Sequence, residues 1–149
     1  MSISVVSVRR MGEAAGGVAI EQSQVQKETP MRYLLLIYGD ETMYESMSPE
    51  TLGQMYQDYG TYGAELQQAV AVIGSEELQP TSSATCVRLQ NGERIVTDGP
   101  FAETKEQLGG YYCIEADNLD QAIEWAARCP AAKVGTMEIR PIVDHSAGS

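Results

Sequence analysis

Histidine, phenylalanine and tryptophan occur once each in 149 residues, cysteine three times, and lysine and arginine together only ten times. Each scarcity excludes something. The one histidine, His145, lies in the polar C-terminal stretch DHSAGS, so no HExxH zinc site and no Ser-His-Asp or Cys-His catalytic set is expected. Cys86, Cys113 and Cys129 are odd in number, far apart and without a CxxC pair. Neither a disulfide framework nor a cysteine zinc site follows, no metal is expected, and a reducing cytoplasm fits best. No run reaches the roughly 18 apolar residues that a membrane span needs. Arg9 and Arg10 interrupt the first apolar stretch, which therefore lacks the continuous core of a signal peptide. Basic residues are scarce where they would matter: residues 1–30 hold three basic and three acidic side chains, leaving seven basic against eighteen acidic from Met31 onward. Such a surface repels phosphate backbones and anionic membranes, so neither nucleic acid nor membrane is expected as a partner. The only glycine pair near a strand, Gly109-Gly110, matches neither GxxxxGK[ST] nor GxGxxG, and no nucleotide or other cofactor is expected.

What is present reads as one folded domain. An apolar fraction of 43% and a charged fraction of 21% are globular values. Residues 1–30 carry Gly16-Gly17, the polar EQSQVQKET and Pro30 with no sustained period, which reads as a flexible N-terminal tail, and Met31 is a candidate biological start. YLLLIY at 33–38 is a strand apolar on both faces, closed by Gly39-Asp40. Ser48 caps and Pro49 opens a helix whose Leu52, Met55, Tyr59, Tyr62, Leu66 and Ala69 fall on one face. Gly53, Gly60 and Gly63 inside it each cost about 1 kcal/mol relative to alanine, which suggests close approach to another backbone. AVAVIGSEEL is a second strand, TCVRLQ-NG-ERIVT a hairpin with a type I′ Asn91-Gly92 turn, and GYYCIEA a further strand. Asn118 caps a helix over LDQAIEWAAR that Pro130 ends, TMEIRPI supplies the last strand, and residues 144–149 form a C-terminal tail.

With the inserted β-hairpin set aside, the order is βαββαβ, the ferredoxin-like α+β arrangement in which two helices cover one sheet face. The strands YLLLIY and GYYCI are apolar at odd and even positions alike, so the second face also requires cover. A second copy of the chain is the simplest supply, and a homodimer is expected.

The segment VTDGPFAETKEQLGGYY, with MRYLLLIYGDE at 31–41, GSEELQP at 74–80, AIEWAARCPAA at 122–132 and EIRPI at 138–142, resembles the YCII-related family over residues 31–143. Within it the chain is similar to the branch named for the tetrapeptide Asp98-Gly99-Pro100-Phe101. The resemblance implies a dimeric ferredoxin-like domain of the dimeric α/β-barrel type. It also implies a setting beside sigma factors of the extracytoplasmic-function class, and, in the wider superfamily, a proposed His–Asp catalytic pair. No histidine stands on the first helix to take that role.

Asp98-Gly99-Pro100 has two readings. In the simpler one the Asp98 side chain closes an Asx turn, Gly99 allows positive φ and Pro100 fixes the exit. In the functional one Asp98 is a pocket-facing carboxylate whose use as a base requires burial to raise its pKa. Phe101 reads first as the plug anchoring this loop to the core and second as a stacking surface for a ligand. Tyr59, Tyr62, Tyr111 and Tyr112 read as core, with rimming an apolar pocket as the alternative. Arg94 and Arg140 are either paired with nearby carboxylates or clamp an acidic ligand. Combined, these give a small-molecule enzyme or binder with a pocket between the first helix and the Asp98 loop at a dimer interface, set for proton transfer or elimination on a small organic acid. The alternative is a non-catalytic ligand-binding or regulatory accessory in a sigma-factor pathway.

Overall fold

The computed structural model describes residues 29–146. The expected N-terminal tail lies outside them except for its last two residues, as do residues 147–149. In chain order the elements are β1 (Met31–Gly39), a short helix α1 (Glu41–Glu45), the long helix α2 (Pro49–Ala69), β2 (Ala71–Glu77), β3 (Thr85–Gln90), β4 (Glu93–Asp98), β5 (Gln107–Ala116), α3 (Leu119–Arg128) and β6 (Thr136–Pro141).

Four strands form an antiparallel sheet in the order β2-β5-β1-β6. β1 and β2 flank β5 while β5 and β6 flank β1, so the crossovers through α2 and α3 interleave and bring both helices to one face. This α+β topology is compatible with a ferredoxin-like fold. The core lies between that face and the helices: Tyr33 and Leu35 of β1, Ile114 and Ala116 of β5, Tyr62 and Leu66 of α2, and Ala122, Trp125 and Ala126 of α3 are all buried. Leu35, Leu66 and Ile114 are fully buried, each worth about 1.5–3 kcal/mol of transfer free energy.

Local chemistry explains the boundaries. The Ser48 hydroxyl accepts from Thr51 N–H at 3.1 Å, and Asn118 Oδ1 accepts from Gln121 N–H at 2.9 Å. Gln121 reaches back to Asp117 N–H, one residue before the cap. α1, which the sequence pattern did not announce, begins where Asp40 Oδ1 accepts from both the N–H and the hydroxyl of Thr42. Those bonds hold the Asp40 carboxyl below its ordinary value.

β3 and β4 form a separate two-stranded sheet. Asn91 and Gly92 have φ of 51° and 82°, the positive pair that a type I′ turn needs. Val87 and Val96 are directly paired, yet both face solvent, and Leu89 beside them is 75% exposed.

Three expectations are corrected. Among the described residues the α2 glycines serve no close approach, because a Cβ added at Gly53, Gly60 or Gly63 would meet none of them within 4 Å. Gly99 is not at positive φ; it is small because a Cβ there would come within 2.8 Å of Ala84 Cβ and 3.1 Å of Cys86 Sγ. Phe101 is no plug: it is 80% exposed, because its loop leaves β4 on the two-stranded sheet, away from the main core.

On the second sheet face, strand alternation places Leu34, Leu36, Tyr111 and Cys113 side by side, with Glu138 and Arg140 flanking them on β6. The first four are half-buried, and neither helix lies over them.

Candidate functional site

The apolar face of α2 divides into two parts. Tyr62 and Leu66 pack into the core, whereas Leu52, Met55 and Tyr59, one to three turns earlier, stand over a cavity of about 450 Å³. Its floor comes from Ile37 of β1 and Gly109, Gly110 and Tyr112 of β5; its rim comes from α1, the end of β2 and the following Leu78–Pro80. The space has a local cause. Gly110 pairs with Ile37 on one side and Glu77 on the other, on the helix-facing side of the sheet, and has no side chain to fill the gap under α2. A Cβ there would approach the Glu76 carbonyl oxygen at 2.8 Å.

Two clasps hold the rim. Tyr56 on α2 donates its hydroxyl to Glu77 Oε2 at 3.0 Å, tying helix to strand across the mouth. Glu41 on α1 accepts from the Thr81 N–H at 2.8 Å and hydroxyl at 2.7 Å, while its own N–H donates to Gln107 Oε1 at 3.0 Å. The Tyr56–Glu77 bond raises the Tyr56 pKa, since ionising the phenol would set two anions against each other.

The inner wall is aromatic. Burial pushes the Tyr59 pKa far above the ordinary tyrosine value, and the Cys129 thiol beside it adds to the shift. Tyr112 is pushed up to about 12, chiefly by burial. Tyr62, behind it, packs edge-on against Tyr112 with centroids 5.4 Å apart and against Trp125 at 6.0 Å. Cys129 is buried and its thiol is raised, first by burial, so it is a neutral packing group here rather than a nucleophile. These hydroxyls can donate hydrogen bonds to a ligand near neutral pH; they are not bases there. Among the described residues lining the cavity, five are tyrosines (Tyr44, Tyr56, Tyr59, Tyr111, Tyr112), four are glutamates (Glu41, Glu45, Glu76, Glu77), and none is lysine, arginine or histidine.

Of the residues singled out in the sequence, Tyr59, Tyr111 and Tyr112 line this cavity, and Tyr62 packs in the core behind them. Tyr111 borders it from the sheet, with its register beside Leu36 on the face opposite Tyr112. Asp98, Arg94 and Phe101 are exposed on β4 and the loop after it, outside the cavity. The bond that holds that loop runs from Gly99 N–H to the Ala84 carbonyl at 2.8 Å, in place of an Asx turn about Asp98. Arg140 also lies outside, and its Nε donates to Glu138 Oε2 at 2.7 Å, an exposed pair that solvent screens and that contributes little. His145 is exposed near the C-terminus. Tyr44, Glu41 and the Glu76–Glu77 pair were missed; the available signals were Asp40 two residues before Thr42, which marks a cap, and two adjacent acids ending an otherwise apolar strand.

Among the described residues no group of three or more His, Cys, Asp or Glu side chains is placed to hold a metal ion, and no helix is long and apolar enough to cross a membrane. Comparison with known proteins gives two matches. A family model described as the YCII-related domain matches residues 31–146. An uncharacterized protein of Rhizobium meliloti (strain 1021) is 36% identical over 120 residues, covering 79% of this chain and 97% of that protein.

Proposed function

The chain belongs to the YCII-related family, and we propose that it is a small-molecule-binding protein whose ligand occupies the cavity between α2 and the sheet. One observation carries this reading: the N-terminal half of a strongly capped helix stands off its sheet and leaves about 450 Å³ lined by aromatic and aliphatic side chains, a size that suits a small organic ligand. A second copy covering Leu34, Leu36, Tyr111 and Cys113 would give the dimeric α/β-barrel form, and the half-buried apolar character of those residues supports it.

Binding without turnover is the favoured form. Proton transfer on a small organic acid requires a base and a cationic clamp beside the substrate. In a single chain Asp98, Arg94 and Arg140 all lie outside the cavity, and burial holds Tyr59 and Tyr112 within it protonated. A ligand-responsive accessory of the DGPF type, in a sigma-factor setting, is the physiological role this reading suggests.

A thermal-shift screen of small organic compounds tests the cavity. A ligand at 100 times its Kd should add about 2.7 kcal/mol of stability. Met55→Trp, which fills the space, is expected to abolish the shifts while leaving the protein folded. Ligands that stabilise this variant as strongly as the native protein would place binding elsewhere.

A further inference from the structure

We infer that the cavity selects an apolar molecule carrying a positive charge, an aromatic or aliphatic amine or quaternary ammonium compound, and rejects carboxylates. The inference rests on the cavity being the binding site. It follows from the lining as a whole. The interior is apolar, with Ile37, Leu52 and Met55 facing tyrosine rings, so a ligand needs a hydrophobic body. Aromatic rings attract cations through their negative faces, and rings grouped around a concave site are how quaternary ammonium compounds are commonly bound.

The rim adds fixed charge of one sign. Glu41 and Glu77 are held in place at the mouth by neutral donors, Thr81 and the Tyr56 hydroxyl, so their bonds orient the carboxylates without neutralising them. Glu45 stands exposed beside them, whereas Glu76, paired with Tyr111, borders the cavity through its backbone and turns its side chain to the opposite sheet face. With no lysine, arginine or histidine among the described lining residues, a carboxylate entering here meets the like charges of Glu41, Glu45 and Glu77 and no cationic partner, while an ammonium group meets three opposite charges. The organic-acid ligand expected from the sequence relied on Arg94 and Arg140, and neither is at this site.

The test is a matched series: 3-phenylpropylamine, 3-phenylpropanol and 3-phenylpropionate, titrated calorimetrically against the full chain at neutral pH and low salt. The amine is expected to bind about tenfold or more tighter than the alcohol, with the acid weakest. In the Glu45→Gln/Glu77→Gln double variant, which neutralises two exposed side chains at the mouth, the amine-to-alcohol affinity ratio should fall by about threefold or more, and high salt should reduce it likewise. Three affinities within a factor of about two, all abolished by Met55→Trp, would overturn the charge preference while leaving the cavity reading intact. An acid binding as tightly as the amine would overturn it too. Failure of all three to bind, or binding that survives Met55→Trp, would overturn both.

Discussion

Replacing Tyr62 by phenylalanine removes one oxygen from the interior and leaves the shape of the side chain intact. That oxygen donates its proton to the Trp125 carbonyl at 2.8 Å. Trp125 sits in the last turn of α3, where carbonyls lose the N–H four residues on. Cys129, which would serve it in a continuing helix, donates instead to Ala126 at 3.2 Å. Tyr62 therefore acts as a C-terminal cap delivered from another helix, and at 4% exposure there is no water to replace it. An unsatisfied buried acceptor costs about 1–3 kcal/mol. Because the ring contacts with Tyr112 and Trp125 survive, a loss of about 1.5–2 kcal/mol is expected. Trp125 is the only tryptophan, so its fluorescence reports unfolding in urea. With a slope of about 1–3 kcal/mol/M, the midpoint should fall by roughly 0.5–2 M with the slope unchanged. Tyr56→Phe, which removes an exposed hydroxyl bond, should cost no more than about 0.5 kcal/mol. Equal effects from the two variants would refute the claim that burial of the orphan carbonyl sets the cost.

Three further outcomes are expected. Leu36→Asp, on the sheet face that neither α2 nor α3 covers, should convert a dimer to a folded monomer in sedimentation velocity at micromolar concentration; a native protein that already sediments as a monomer would remove the basis for a partner copy on that face. Gly110→Ala should lower stability by about 1–3 kcal/mol in urea unfolding, because its Cβ would meet the Glu76 carbonyl oxygen at 2.8 Å, backbone against backbone; no change would mean that the β2–β5 spacing relaxes freely. Alkaline titration followed at 295 nm should show fewer ionised tyrosines in the native protein than in the urea-unfolded chain between pH about 10 and 12, since Tyr59, Tyr62 and Tyr112 are all raised by burial. The sign follows from linkage: a raised native pKa gives stability that is complete below the unfolded value of 10.0 and is lost as pH climbs through the native values, so base should unfold the protein.

Much of the fold was legible because local chemistry and long-range packing agree in it. Ser48-Pro49 and Asn118 are capping signals whose bonds form as their side chains dictate, and Asn91-Gly92 adopts the positive φ pair that its composition favours. The βαββαβ order was readable since each segment shows its own period. Phe101 failed because apolarity alone says that a side chain prefers burial, not that its own chain supplies the cover; its loop follows a two-stranded sheet that projects from the core. Gly99 failed for a related reason. The dipeptide Asp-Gly announces a turn, but whether glycine is needed for φ or for space depends on Ala84 and Cys86, fifteen and thirteen residues away at the start of the paired strand.

The site was the least legible part, and the cause lies in α2. Its 3.6-residue stripe from Leu52 to Leu66 is continuous in sequence, and nothing within the helix separates residues that pack from residues that line a void. The separation is imposed by the strand beneath. Where β5 presents Ile114 and Tyr112, the stripe closes onto the core at Leu66 and Tyr62; where β5 presents Gly110, it closes onto nothing. Gly110 is in turn fixed by the Glu76 carbonyl of β2, and β2 ends in Glu77, whose carboxylate rims the opening. The glycine that admits β2 to the sheet thus opens the cavity and sets its negative mouth beside it, a coupling of three elements that appears only once the register is known.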